Sequence, residues 1–375
     1  MKVLYVYGHI TAYGGVERIF VDKMNYLVNY YREEVFLLTW DQGNHRIPFP
    51  LDDRVTHTDL GVLSYRAYHY HGFRRLWEQQ KRRTLFKRMI RDYIVNLVPD
   101  IIITTTVGPI KNLLKIKGDA RLIIESHSGY NHIMEFSYDS FMNRFKYQLQ
   151  KYRIKKADCV VSLTEGDAAL WRTFHHYVVT IPNFIHCNTM GYVSTLENKQ
   201  VIYVGRYEYQ KAIPDLIEIW RLVNRSHPDW KFEMYGKGLY EEFLRDVVEH
   251  NDINININPP SNDIHSRLVE SSIFIIASYY EPFGLVIGEA MSCGLPVVAF
   301  NCPFGPAELI NNDVNGFLVE NRDIRTFADK ICQLIENHDL RKQMGKAATQ
   351  SAQGYSAEKI MPQWKQLLES LANFK

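Results

Sequence analysis

The feature that most constrains the fold is an alternation that runs through the first half of the chain and then starts again. Short apolar runs at Lys2–Tyr7, Val35–Thr39, Asp100–Thr104, Arg121–Glu125 and Asp158–Leu163 read as buried strands. Amphipathic stretches such as Val16–Tyr31 and Arg82–Leu97 lie between several of them and read as helices. Strands that alternate with helices make βαβ units and a parallel sheet. A second set follows at Gln200–Val204, Lys231–Tyr235, Ile253–Ile257, Ile273–Ala277 and Pro296–Phe300, with helices from about Ile213, Leu239, Asn262 and Leu285. The segment between the sets, IPNFIHCNTMGYVSTLENK, is polar, lacks periodicity and reads as a linker.

The expectation is an α/β protein with two doubly wound parallel-sheet domains facing a central cleft. The first domain covers 1–183, the linker 184–199, the second domain 200–355 and a closing helix 356–375. A length of 375 residues suits two domains of about 150 residues each. Ile360, Trp364, Leu367, Leu368 and Leu371 recur at helical spacing in the closing helix, which is expected to pack back on the first domain. Ligands of such sheets sit beyond the carboxyl ends of the strands.

Composition removes several classes. Apolar residues make up 46% and charged residues 23%, which excludes a mostly disordered chain. The five cysteines, Cys159, Cys187, Cys293, Cys302 and Cys332, are odd in number and form no CxxC pair. Neither a disulfide framework nor a cysteine zinc site is signalled. No apolar run approaches the ~20 residues of a membrane span. The N-terminus turns polar after its seventh residue, too early for a secretory signal, so a cytoplasmic protein is expected. The net charge of +2 gives no whole-chain argument for nucleic acid, and none is expected as a partner.

That balance conceals an asymmetry. Residues 1–186 carry 26 Lys and Arg against 18 Asp and Glu, while residues 187–375 carry 18 against 24. Between Arg66 and Arg91 stand nine basic residues and a single acid, Glu78, interleaved with Tyr68, Tyr70, Phe73, Trp77 and Phe86. Such a stretch is either a solvated helix with a long loop or a surface for anionic lipid headgroups at the inner face of a membrane.

The most informative segment is Ser278–Ile310, SYYEPFGLVIGEAMSCGLPVVAFNCPFGPAELI. A strand ends near Ala277, a loop carries Glu281, Pro282, Phe283 and Gly284, and a helix starts near Leu285 and stops at Cys293–Gly294. A glycine turn between a strand and a helix start offers backbone N–H groups and the positive end of the helix dipole to a phosphate. Glu289 lies about one turn inside that helix, where a carboxylate can accept the hydroxyls of a ribose. As a lone Glu it could equally be a solvated surface residue. Glu281, eight residues earlier, could take hydroxyls of a second, sugar-like group.

The residues E-P-F-G-L-x-x-x-E-A-M-x-x-G-L-P-V-V in this segment resemble the signature of retaining glycosyltransferases of family 4, which have the GT-B fold of two Rossmann-like domains. Val204-Gly205-Arg206 followed by Lys211 resembles the family's VGR…K element, although Ala212 stands where the family usually has Gly after the Lys. Two cations five residues apart at a strand end suit a diphosphate, Arg as a fork and Lys as a point charge. Tyr235-Gly236-Lys237-Gly238 resembles the family's GxG turn, and Asn315-Gly316 a further turn. In the first half, Tyr13-Gly14-Gly15-Val16-Glu17 resembles the N-terminal glycine loop that approaches the donor phosphates and acceptor, and His127 matches the family's active-site histidine. Without the resemblance these last two read as a tight turn and a structural histidine.

The resemblance is strong over 200–355 and implies that this half binds a nucleotide-sugar donor while the first half reads the acceptor. It implies Arg206, Lys211 and the N–H groups after Phe283, with Gly284 and Leu285, on the leaving diphosphate. It further implies Glu289 on the ribose, Glu281 on the donor sugar, and His127 at the sugar without the role of general base. The donor is expected to be a UDP-hexose or UDP-N-acetylhexosamine, and the acceptor a glycan or lipid-linked glycan in surface-polysaccharide synthesis. No metal and no resident cofactor are expected. An epimerase or phosphorylase on the same fold, or a non-catalytic nucleotide-sugar-binding protein, stands as the alternative.

Other chemistries lack their motifs. There is no HExxH, no GxSxG, no Walker lysine motif and no convincing Asp-x-Asp. Tyr5-Val6-Tyr7-Gly8-His9 does not complete GxGxxG, and His69 and His71 lack an apparent third metal ligand.

Overall fold

The computed structural model describes residues 1–130, 141–186, 192–250, 253–261 and 263–373. Cys187, the 187–191 part of the expected linker and the helix start expected at Asn262 lie outside the described residues. The chain divides into two compact units. One comprises Met1–Ile181 with Met361–Lys375, the other Pro182–Ile360.

The first unit holds a seven-stranded sheet in which every pairing is parallel. Its strands are β1 (Lys2–Val6), β2 (Glu34–Thr39), β3 (Thr56–Asp59), β4 (Ile101–Thr105), β5 (Arg121–Ser126), β6 (Cys159–Ser162) and β7 (Val178–Thr180), in the order β3-β2-β1-β4-β5-β6-β7. The central strands are continuous apolar runs because helices must cover both faces of a parallel sheet. Val3 pairs with Val35 on one side and Ile101 on the other, and all three are buried.

The second unit holds a six-stranded parallel sheet of β8 (Gln200–Val204), β9 (Lys231–Tyr235), β10 (Ile255–Asn258), β11 (Ile273–Ile276), β12 (Val297–Phe300) and β13 (Gly316–Val319). Its order is β10-β9-β8-β11-β12-β13. Strand order reverses between β1 and β4 in the first sheet and between β8 and β11 in the second. At such a reversal the two following loops diverge and leave a crevice beyond the strand ends.

Three short strands differ from expectation. β3, β7 and β13 have no counterpart among the apolar runs, and all three are edge strands of three or four residues. β3 reads Thr-His-Thr-Asp and is nowhere fully buried, so no apolar signal announces it. The basic helix also starts ten residues before Arg82, spanning Gly72–Leu97. The apolar period visible from Arg82 onward reports only the part packed on the core through Ile90 and Ile94.

The last helix, Ala357–Asn373, buries Ile360, Met361, Trp364, Leu367, Leu368 and Leu371. Within the first unit its Trp364 ring lies 4.3 Å from Lys23 Nζ, and Lys365 sits over Tyr31; both partners belong to the helix Gly15–Tyr31. Among the described residues no helix is long and apolar enough to cross a membrane.

Ala212, at the position where a glycine was the expected residue, is fully buried with φ 47° and ψ 49°, in the left-handed region. That conformation costs an L-residue roughly 1–2 kcal/mol. Glycine escapes it but loses about 0.5–1 kcal/mol in chain entropy. Ala212→Gly is therefore expected to stabilise the second unit slightly, raising its melting temperature by about 1–3 °C in calorimetry.

Candidate active site

The reversal between β8 and β11 gathers the residues singled out in the second half. Gly205 follows β8, and Gly236 follows its neighbour β9. A Cβ on Gly236 would stand 2.0 Å from the Gly205 carbonyl oxygen, so the two strand-end turns press together as only glycine permits. Beyond Gly205, Arg206 is exposed and donates from Nη2 to Gln210 Oε1 at 3.3 Å. Gln210 in turn donates to the Tyr280 carbonyl at 3.0 Å and accepts from the Tyr279 N–H at 2.9 Å. One glutamine thus ties the loop after β8 to the loop after β11.

Lys211, by contrast, is buried, and its Nζ bonds Glu281 Oε2. Ser278 Oγ donates to the same oxygen at 3.2 Å. The Glu281 backbone is fixed on both sides: its N–H donates to Pro303 at 2.7 Å, and its carbonyl accepts from Phe304 at 2.9 Å and Gly305 at 2.7 Å. Among the described residues Glu281 Oε1 takes no hydrogen bond. The carboxylate is rigidly aimed and half of its acceptor capacity is open.

Three residues on, Gly284 sits at φ 87° and starts the helix Leu285–Ser292. Ile287 and Gly288 donate to the Gly284 carbonyl, but no side chain caps this end, so the N–H groups of Leu285 and Val286 lack an intrahelical partner. Phe283 is buried, its ring edge-on to Tyr355. Glu289 lies in the same helix, half-buried, one turn from Leu285 on the same face. The structure therefore joins Arg206, Lys211 and Glu281 by one chain of bonds and leads from Glu281 directly into the helix start.

Sequence reasoning missed the brace behind this loop. Arg322 donates to the Ala277 and Ser278 carbonyls at 2.6 and 3.1 Å, pairs with Asp215 at 2.5 Å and stacks on Tyr279 and Phe300. It stands far along the chain, and no local pattern marks it.

In the first unit Gly14 precedes the helix Gly15–Tyr31, and a Cβ on it would lie 2.2 Å from Glu17 Oε2. His127 follows β5, nearly buried, with the Phe20 ring edge-on at 5.0 Å. Its Nε2 lies 2.8 Å from Glu125 Oε2, the oxygen that Lys23 Nζ also bonds. Neither Lys23 nor Glu125 was among the expected site residues. A signal existed, since Lys23 interrupts the apolar face of its helix between Phe20 and Leu27 and Glu125 is a charged residue within a run of buried strand residues. Burial pushes the Glu125 carboxyl up, but the Lys23 charge and the His127 hydrogen bond outweigh it and hold the group below the usual carboxylate range. Burial draws the Lys23 ammonium down, against the pull of Glu125.

His69 and His71 gain no partners as ligands: among the described residues no group of three or more His, Cys, Asp or Glu side chains could hold a metal ion.

Residues 192–351 match the family described as Glycosyl transferases group 1. The chain is 28% identical over 373 residues to an uncharacterized glycosyltransferase of Haemophilus influenzae, covering 98% of this chain and 99% of the relative. It is 26% identical to the amylovoran biosynthesis glycosyltransferase AmsD of Erwinia amylovora, over 98% of this chain and 99% of that protein. Its fold resembles a crystal structure of a TarM variant from S. aureus in complex with fondaparinux, α-GlcNAc-glycerol and UDP. That match has a TM-score of 0.79 at 17% identity and covers 98% and 99% of the two chains. The structural likeness shows the GT-B fold, and the sequence likenesses support a glycosyltransferase of polysaccharide biosynthesis.

The Lys211–Glu281 pair is buried, so removing one partner strands a charge. Lys211→Met is expected to destabilise the second unit by about 3–5 kcal/mol in urea denaturation. The double variant with Glu281→Gln should recover most of that loss, because no ionised carboxylate is then left unpaired.

Proposed function

We propose that the chain is a retaining glycosyltransferase of family 4. It moves a hexose or N-acetylhexosamine from a UDP sugar to a hydroxyl of a glycan or lipid-linked acceptor, with no metal and no resident cofactor. The observation that carries this reading is the constellation at the β8/β11 reversal. A buried Lys211–Glu281 pair and an exposed Arg206 held by Gln210 accompany the uncapped helix start at Leu285.

In the reaction the acceptor oxygen bonds to the anomeric carbon as the bond from that carbon to the diphosphate oxygen breaks. The acceptor proton passes to the leaving diphosphate on the same face of the sugar, so the configuration is kept. Negative charge grows on the diphosphate in this step. Arg206, Lys211 and the Leu285 and Val286 N–H groups oppose it as donors fixed in advance, needing no reorganisation as the bond breaks. Glu289 takes the ribose hydroxyls, the open Glu281 oxygen takes a hydroxyl of the donor sugar, and His127 contacts the sugar. UDP is favoured by the ligand named with TarM, and a surface-polysaccharide acceptor by the product named with AmsD.

The test is a panel of UDP-, GDP- and ADP-sugars scored for nucleotide release by the purified protein. Release from a UDP sugar is expected, abolished by Glu281→Gln and lowered about 100-fold by Arg206→Ala, which removes roughly 3 kcal/mol of stabilisation at the leaving group. Undiminished turnover in Arg206→Ala would overturn the diphosphate assignment.

We further propose that the protein works from the cytoplasm against an anionic membrane surface, which the helix Gly72–Leu97 meets. Its first turns expose Phe73 at 92%, Leu76 at 62% and Trp77 at 61%. Lys87, Arg88 and Arg91 are exposed on the same outward face further along. Arg74, Arg75 and Lys81 lie over the Tyr70, Tyr68 and Trp77 rings, while Glu78 is turned inward beside Arg82. Apolar rings followed by a basic stripe suit an interface where rings enter and each cation adds ~1 kcal/mol at the headgroups. Co-sedimentation with phosphatidylglycerol vesicles at low salt is expected, and it should be lost in Phe73→Ser/Trp77→Ser. Absence of binding by the wild-type protein removes the idea.

A further inference from the structure

We infer that Lys23 and Glu125 are positioning residues that hold His127 as a neutral imidazole with its proton on Nε2, so that Nδ1 is the nitrogen offered to a substrate hydroxyl. This deepens the reading above, since it takes His127 as a residue that meets substrate.

The argument starts from the carboxylate. Glu125, the penultimate residue of β5, is completely buried. An ionised carboxylate only accepts hydrogen bonds, so the 2.8 Å contact with His127 requires the hydrogen to sit on Nε2. A carboxylate facing an imidazole alone would also favour the doubly protonated, cationic ring. Here the same oxygen already carries the Lys23 ammonium. The negative charge is balanced before the histidine meets it, and the ring can stay neutral while its tautomer is fixed.

The surroundings keep this balance. Lys23 has the Phe20 ring at 5.2 Å and the Trp364 ring at 4.3 Å, so its charge has Glu125 as its anionic partner and little access to water. The other titratable groups close by leave the count unchanged. Tyr5, on β1, feels the Glu125 charge, and burial together with that charge pushes its hydroxyl well above the ordinary value, so it stays neutral. Asp167 is engaged by Ser126, Ser162 and Trp171. Glu17 lies toward Tyr7 at the mouth of the helix.

Among the described residues His127 Nδ1 has no hydrogen-bond partner, and Glu125 Oε1 is buried with none. The carboxylate therefore concentrates on the two donors at Oε2. Buried ion pairs are poor devices for stability, often replaceable by apolar residues without loss. This pair terminates on a histidine whose second nitrogen is open, which gives it a use beyond packing. A neutral ring with Nδ1 open is an acceptor, suited to take a sugar hydroxyl proton in a hydrogen bond. An imidazolium at the same place would instead be a donor.

The test reads the ring directly. Full-length protein labelled with 15N-histidine is examined by long-range 1H–15N correlation at pH 7.5, with His127→Gln assigning the signal. The wild-type ring is expected as the neutral Nε2–H tautomer. In Lys23→Met the carboxylate charge is unopposed, and the ring should become imidazolium at the same pH; Lys23→Arg should restore the neutral ring. An Nδ1–H tautomer or an imidazolium in the wild type overturns the inference, as does an unchanged ring in Lys23→Met. Should Lys23→Met fail to fold, the wild-type tautomer alone decides. Glu125→Gln is expected to lower kcat roughly 10- to 100-fold, by analogy with the loss when the carboxylate orienting a metal-bound histidine is removed. Failure of the transferase reading would show as no nucleotide release from any donor, with the ring signal as expected; failure of this inference shows in the ring signal itself.

Discussion

A parallel sheet must be covered on both faces, and that requirement organises everything else in this chain. Most strands hand over to a helix that returns across one face, although β2 reaches β3 without one, and because every pairing is parallel the strands of a sheet end on the same edge. Where strand order reverses, between β1 and β4 and again between β8 and β11, those loops part instead of packing side by side. The second sheet uses that position for Arg206, Lys211, Glu281 and the helix start at Leu285. Their proximity follows from the topology, and the topology follows from the need to bury apolar strands such as Phe274–Ile276.

Both units place a buried carboxylate beyond or at a strand end and bond it to a lysine. In the second unit Glu281 meets Lys211, and in the first Glu125 meets Lys23. An unpaired charge at such depth would be costly, and each lysine removes that cost locally. The consequences differ. Lys211 leaves one Glu281 oxygen open, which keeps that carboxylate available to a ligand hydroxyl. Lys23 shares its oxygen with His127, which turns the pair into a means of fixing a ring. Under the function and inference proposed above, one physical device serves reception in one unit and orientation in the other.

The supporting contacts are of a different kind from the site itself. Arg322 holds the carbonyls of Ala277 and Ser278, Gln210 bridges two loops, and Gly305 lies so close to Phe283 that a Cβ would stand 2.1 Å from its carbonyl oxygen. These groups set where Glu281 points without offering chemistry of their own. They are the reason a loop, ordinarily the most mobile part of a fold, can hold a carboxylate in one direction.

By itself the sequence determined the class of fold, because continuous apolar strands alternating with amphipathic helices admit few arrangements. It also singled out the candidate residues of the second unit, because Glu281, Gly284, Leu285 and Glu289 lie within one strand–turn–helix and Arg206 and Lys211 within one neighbouring loop. The edge strands β3 and β7 escaped it, since they lack the burial that writes an apolar pattern. The outward start of the basic helix escaped it for the same reason. Only the tertiary structure decided that Lys211 neutralises Glu281 across 70 positions, that Lys23 reaches Glu125 across 102, and that Arg322 braces the loop after β11. Those pairings depend on which strands become neighbours, and strand order is a property of the folded sheet that local spacing does not carry.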